Sequence, residues 1–261
     1  MHYNGSKGGS GVYQKIISLM PAHTIYIETH LGGGSILLRK RPAVRSYAVE
    51  IDPDVMEAFQ MEHGSVLHDM TFKQMNCIDF LRSFPWSHAM QEMVYVDPPY
   101  LPGIRRSQKR LYRHEYTEDD HIELLELLLS LPPSFVMISG YDSPLYDRLL
   151  SGWKTVEFRA QTRGGPAIEK LWMNYDPGQH LKHEYSYAGE NYRDRERIKR
   201  KAARWVHRLR KIPADERNCL FSLLAREFPA ELRYHSPGTA EMTVPPGFHD
   251  AGQDEGLHHH G

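Results

Sequence analysis

Four consecutive residues, Asp97-Pro98-Pro99-Tyr100, follow the short apolar run Met93–Val96 and combine groups suited to binding and orienting an amine. Two successive prolines fix φ and donate no hydrogen bond, so the backbone there is rigid and the Pro98 carbonyl has a defined direction. The exocyclic amine of adenine is a poor nucleophile because its lone pair is delocalised into the ring. Two acceptors, the Asp97 carboxylate and the Pro98 carbonyl, can bind its two hydrogens and favour the pyramidal form, with the lone pair turned toward an electrophilic methyl group. Tyr100 offers a flat face to a base extruded from a duplex, as enzymes that modify bases require. A proline turn that merely ends a strand is the competing reading of Pro-Pro alone. Asp97 before the prolines and Tyr100 after them argue against it.

A second constellation is Tyr26-Ile27-Glu28-Thr29-His30-Leu31-Gly32-Gly33-Gly34, a strand running into glycines. Glycines at Gly32 and Gly34 let the backbone approach a ligand closely, although a tight turn without a ligand would look the same. The dinucleotide pattern GxGxxG and the lysine of a phosphate loop are both absent, which argues against phosphate binding. Glu50 ends the next strand, where a nucleoside-binding α/β fold places an acid for ribose hydroxyls. Asp79 follows a third strand and fits two roles equally, acceptor for an adenine amine or helix cap.

Elements that would position these residues alternate along the chain. Strands are expected at Thr24–Glu28, Ser46–Glu50, Phe72–Asn76, Met93–Val96, Phe135–Ser139, Val156–Phe158 and Lys170–Tyr175. Helices are expected after the glycines through Lys40, from Pro53, over Ile78–Phe84, and after the cap Thr117 with Ile122, Leu125, Leu128 and Leu129 on its apolar side. This alternation predicts an α/β fold with a mostly parallel sheet covered on both faces and ligands at the carboxyl ends of the strands.

The 261 residues carry a net charge of −1 at pH 7 and a charged fraction of 25%, ordinary for a globular protein. The two cysteines, Cys77 and Cys219, form neither a disulfide framework nor a metal-ligand spacing, so no metal is expected. The N-terminal residues lack the apolar core of a signal peptide and no run spans a membrane, so a cytoplasmic location is expected. Charge is unevenly placed. Between Asn191 and Lys211 ten Lys or Arg residues stand against Asp194 and Glu196, and Arg197, Arg200, Arg204 and Arg208 fall on one stripe of a predicted helix. Ile198, Ala202, Trp205 and Leu209 form the other stripe, which would pack on the core or on a second helix over Pro213–Phe228. Residues 1–175 thus read as the catalytic domain, 176–235 as a basic helical extension, and 236–261 as a disordered tail.

Together these residues resemble the Dam-like adenine-specific DNA methyltransferases, in which the cofactor motif precedes the DPPY motif. The likeness runs from Tyr3 to Tyr175. It includes Tyr3-Asn4-Gly5-Ser6-Lys7, similar to the family's aromatic-x-Gly-Gly-Lys, and Glu169-Lys170-Leu171-Trp172-Met173-Asn174-Tyr175, similar to its last core strand. The resemblance implies a Rossmann-like class I methyltransferase fold, with a seven-stranded mostly parallel sheet whose final strand is antiparallel and a small C-terminal helical extension. It implies S-adenosyl-L-methionine as cofactor, held by Tyr3, Lys7, Glu28, Gly32, Gly34, Glu50, Asp79 and Asp97, with Asp97, Pro98, Pro99 and Tyr100 catalytic. The implied partner is double-stranded DNA with a flipped adenine. Whether a restriction enzyme accompanies the chain is left open.

Two departures from the family stand out. Thr29-His30 replaces the usual Pro-Phe beside the cofactor, and only 46 residues separate Glu50 from Asp97, too few for the family's target-recognition domain. DNA contacts are therefore expected from the loop Gly103–His114, with Arg105, Arg106, Lys109, Arg110 and Arg113, and from the basic helix. RNA adenine methylation, and an inactive DNA-binding homologue, remain alternatives. Cytosine-modifying relatives carry Ser before Pro-Pro and glutamine methylases carry Asn, so Asp97 argues against both.

Overall fold

The computed structural model describes residues 7–65, 67, 69–87, 89, 91–101, 113–162 and 165–235. Tyr3, Arg105, Arg106, Lys109, Arg110 and the 236–261 tail lie outside the described residues.

Seven strands form one sheet in the order β3-β2-β1-β4-β5-β7-β6. They are β1 (Ile25–Glu28), β2 (Arg45–Glu50), β3 (Met70–Gln74), β4 (Glu92–Val96), β5 (Phe135–Gly140), β6 (Lys154–Thr162) and β7 (Gly165–Met173). β1 to β5 pair in parallel, whereas β7 runs antiparallel to both β5 and β6. The seven-stranded, mostly parallel sheet with an antiparallel last strand is therefore as expected. The chain moves from β1 outward to β2 and β3, then returns to the other side of β1 with β4. The order reverses there, and a crevice opens between the carboxyl ends of the strands.

The central strands are apolar on both faces, and alternate residues serve different layers. Tyr26, Met93, Tyr95, Met137, Leu171 and Met173 face one layer with α1 (Val12–Leu19) and α2 (Pro53–His63). Ile27, Val94, Val96, Val136, Ile138 and Trp172 face the other, with α3 (Cys77–Ser83), α4 (Glu118–Ser130) and α5 (Pro144–Leu149). Thr117 caps α4 as the sequence indicated, and Asp120 answers it in a reciprocal capping box. Its buried apolar side is Leu124, Leu125 and Leu128. Leu129 is 47% exposed, because a straight helix of this width buries only one stripe.

One other expectation changes. The glycine turn leads into isolated turns over residues 35–39 rather than a helix. The Leu38 N–H donates to the Gly34 carbonyl and the Lys40 N–H to the Ile36 carbonyl, while the Leu37 N–H, which a first helical turn would leave without an acceptor, donates to the buried Glu28 carboxylate. Between β2 and β4 the described residues hold only α2, β3 and α3, consistent with the absence of a recognition domain there.

The chain divides after Lys211 into two compact units. The first ends with α6 (Tyr192–Lys211), which matches the predicted basic helix and has no buried residue. Ala202 is exposed and Trp205 is 56% exposed, while Ile198 and Leu209 are half-buried. The second unit contains α7 (Ala214–Glu227) and α8 (Pro229–His235). No helix among the described residues is long and apolar enough to cross a membrane.

Candidate active site

The crevice gathers residues that the sequence keeps far apart, because parallel strands deliver their carboxyl ends to one edge. Glu28 is the last residue of β1, Glu50 the last of β2, and Asp97 follows β4. These three and Lys7, Gly32, Gly33 and Gly34 line one cleft, together with Pro98, Pro99 and Tyr100.

Its floor is made by two buried carboxyls. Glu28 accepts from the Tyr26 hydroxyl at 2.8 Å and the Leu37 N–H at 3.0 Å through Oε2. Burial raises its pKa to about 8 despite these donors. Glu50 accepts from the Gly32 N–H at 2.9 Å and the Asp52 N–H at 3.1 Å, and burial raises its pKa as well. Glu50 therefore braces the glycine turn while facing the cleft. Gly32 and Gly34 have φ of 48° and 57°. A side chain at Gly34 would bring its Cβ within 2.3 Å of the Phe59 ring, so both the backbone and the close approach require glycine.

Asp97 is held on one side. Its Oδ1 accepts from Lys7 Nζ at 2.6 Å and from Ser139 Oγ at 2.8 Å, and the Tyr95 hydroxyl lies 2.9 Å from Ser139 Oγ. Lys7 Nζ also donates to the Tyr100 hydroxyl at 2.7 Å, which donates to Glu169 Oε1 at 3.0 Å. Burial works against the Lys7 charge, yet Asp97 and Glu169 outweigh it and hold its pKa well above the ordinary value. Lys7, expected to contact the cofactor, thus orients the DPPY motif directly. Among the described residues, no protein group donates to Asp97 Oδ2.

Other predicted residues fall elsewhere. Asp79 is exposed on the first turn of α3 and does not line the cleft. The cap of α3 is Asn76, whose side chain accepts from the Ile78 N–H at 2.8 Å, so the helix-cap role considered for Asp79 is corrected. Arg113 is drawn to the start of α2, donating to Asp52 Oδ1 at 3.1 Å and Asp54 Oδ2 at 2.7 Å rather than standing clear for phosphate. Arg197 pairs with Asp194 within α6 at 2.7 Å, and Arg208 lies 5.3 Å from the Trp205 ring, while Arg200 and Arg204 are exposed. His30, at the position of the usual Phe, lies 3.1 Å through Nε2 from the Tyr116 hydroxyl, with Cys77 Sγ 3.5 Å away. Burial lowers its pKa to about 3, so it presents a neutral ring to the cleft.

Sequence reasoning missed Ser139, Tyr141 and any role for the Glu169 side chain in the site. Ser139 and Glu169 are polar residues at buried positions of core strands, and that pattern alone is a signal of a site.

No protein-family model matches the chain. No curated protein matches it either. Several solved structures are similar in outline. N-methyltransferase NodS from Bradyrhizobium japonicum is 9% identical over 63% of this chain and 94% of its own, with a TM-score of 0.45. A SAM-dependent methyltransferase from Agrobacterium tumefaciens is 11% identical over 62% and 60%, at 0.41. Precorrin 8W decarboxylase from Methanobacterium thermoautotrophicum is 11% identical over 63% and 88%, at 0.40. At this level of likeness the functional reading rests on the site's own residues.

Proposed function

We propose that the protein is an S-adenosyl-L-methionine-dependent methyltransferase acting on the exocyclic amine of adenine in DNA. The observation that carries this reading is the one-sided anchoring of Asp97. Lys7 and Ser139 take Oδ1, which leaves Oδ2 and the rigid Pro98 carbonyl as two fixed acceptors, the number an amine's two hydrogens need. Accepting both hydrogens withdraws the amine lone pair from the ring, and acceptors already in place do not have to reorganise when charge develops.

The cleft suits the cofactor in chemistry. Asp97 is paired with Lys7 there, and Glu28 and Glu50 line the same cleft as acids raised by burial, which a cationic ligand would help to ionise. Glu50, with spare lone pairs beyond its two backbone donors, would accept from ribose hydroxyls. Glu28 and the glycine turn would hold the methionine end. The cofactor, when bound, supplies a methyl group activated on a sulfonium. Tyr100 supplies the flat wall against which a base stacks, and Lys7 keeps Asp97 turned toward it.

DNA as the substrate is supported by α6. Its cations outnumber its acids, it buries nothing, and Arg200 and Arg204 stand exposed to meet phosphates. Incubating the protein with labelled S-adenosylmethionine and either plasmid DNA or RNA, then analysing nucleosides, tests the reading. N6-methyladenine in DNA is the expected product. Label appearing only in RNA, or in no adenine, would contradict it.

A further inference from the structure

Tyr100 does not stand alone. Tyr141, directly after β5, stacks on it with ring centroids 4.3 Å apart and planes inclined by 28°. Tyr100 lines both the main cleft and a smaller cavity behind it. Tyr141 lines the smaller cavity with Ser139, Gly140 and Tyr146, and is not among the residues lining the cleft, whereas Pro98 and Pro99 border both. Tyr141 therefore backs Tyr100 from the side away from the cofactor crevice.

Both rings are tied to the same strand. Adjacent residues of a strand point to opposite faces of the sheet. Glu169 of β7 accepts from the Tyr100 hydroxyl at 3.0 Å, while Lys170, its neighbour, donates to Asp142 Oδ1 at 2.7 Å and to Asp147 Oδ1 at 2.7 Å. Asp142 follows Tyr141 in the chain. The antiparallel strand thus fixes the hydroxyl end of one ring and the backbone beside the other.

We propose that Tyr141 is a positioning residue for the acceptor base: it sets the plane of Tyr100 on which the base stacks, so that the exocyclic amine meets Asp97 and the Pro98 carbonyl. This rests on the acceptor reading given above. A stacked aromatic pair prefers an offset, nearly parallel arrangement, and losing one ring leaves the other free to tilt. Tilting displaces the amine from its acceptors without touching the cofactor side.

The test uses the full chain and an oligonucleotide carrying an adenine that the wild type modifies, with 2-aminopurine replacing that adenine in a parallel probe. Tyr141→Ala is expected to lower kcat/KM for the oligonucleotide about three- to tenfold, the range of a lost aromatic pair. Quenching of 2-aminopurine should weaken in step, while the Kd for S-adenosylmethionine stays unchanged. Tyr141→Phe, which keeps the ring, should restore wild-type values. Tyr141→Leu fills the volume without an aromatic face and should behave as the alanine variant, which serves if the latter fails to fold. Wild-type kinetics in Tyr141→Ala or Tyr141→Leu, equal impairment of Tyr141→Phe, or a parallel loss of cofactor affinity would each overturn the proposal. A wild type that modifies no adenine overturns the acceptor reading beneath it, whereas an active wild type with unimpaired variants overturns this inference alone.

Discussion

Lys7 Nζ lies 2.6 Å from Asp97 Oδ1, a bond between residues 90 positions apart that ties the N-terminal segment to the end of β4. The ammonium is 5% exposed and also bonds the Tyr100 hydroxyl, so one cation orients two of the four DPPY residues. A buried charge is tolerated only when paired, and here Asp97 and, at 3.9 Å, Glu169 provide the pairing.

Removing that cation should therefore affect both stability and turnover. Lys7→Met leaves Asp97 and the buried Glu169 without their counter-ion, and a broken buried pair costs about 3 kcal/mol. We expect a lower Tm and a fall in kcat larger than any rise in the Kd for S-adenosylmethionine. A change confined to Kd would assign Lys7 to the cofactor alone.

Glu28 gives a second prediction. With a pKa raised to about 8 by burial, it is mostly protonated at pH 7 in the absence of ligand. A cationic ligand stabilises the ionised form and lowers that pKa, so binding at pH 7 should release a proton. Affinity should rise from pH 6 toward pH 8 and then level off. Calorimetry in buffers of different ionisation enthalpy reads the proton directly, and Glu28→Gln should abolish its release. An unchanged proton count in that variant would remove Glu28 from the cofactor pocket.

Acid stability follows from His183. It is 1% exposed, stacks on His23 with centroids 3.7 Å apart, and burial lowers its pKa to about 3. The folded state binds this proton less readily than the unfolded chain. Its contribution is complete above the unfolded pKa of about 6.5 and is lost as pH falls from there toward 3, at roughly 1.4 kcal/mol per pH unit. Urea unfolding between pH 7 and 4.5 should show at least this slope, since burial lowers His30 and His23 in the same direction, and His183→Gln should reduce it by the His183 share. An equal slope in the variant would place the acid sensitivity elsewhere.

The α6 helix makes a prediction in salt. Replacing Arg197, Arg200, Arg204 and Arg208 with Gln should reduce the slope of log affinity for DNA against log salt by about two to four units, with all sequences weakened alike. An unchanged slope would make the helix a solvated surface, and a shift in site preference would make it a reader of bases.

The parts of this site legible in the sequence are those fixed by local rules. Asp97-Pro98-Pro99-Tyr100 announces itself because two prolines dictate their own backbone, and Glu28 and Glu50 stand out as acids ending apolar strands. The β-strand alternation also predicts the sheet. What escaped depends on contacts across the fold. Glu169 and Ser139 meet Tyr100 and Asp97 only after β7 and β5 pair, and no local signal pairs them. The cap of α3 was misplaced for a related reason: the helix starts at Cys77, so Asn76 and not Asp79 stands at the capping position. After Gly34 the segment forms turns and no helix, and the Glu28 bond to the Leu37 N–H is a tertiary contact that no local pattern announces. For α1, the glycine-rich start hid Gly11 and Gln14, whose side chain accepts from the Gly11 N–H at 2.6 Å.

The central claim is that Asp97 binds the reacting amine rather than the cofactor alone, and single-turnover methyl transfer by Asp97→Ala measures it most directly. The measurement is made alongside the Kd for S-adenosylmethionine and the Tm. Losing one fixed acceptor of developing charge should slow transfer by about two to three orders of magnitude. Cofactor affinity should stay within a few-fold of wild type, since Glu28, Glu50 and the glycine turn remain. Transfer near the wild-type rate in a folded Asp97→Ala, or a loss of activity fully explained by lost cofactor binding, would contradict the account.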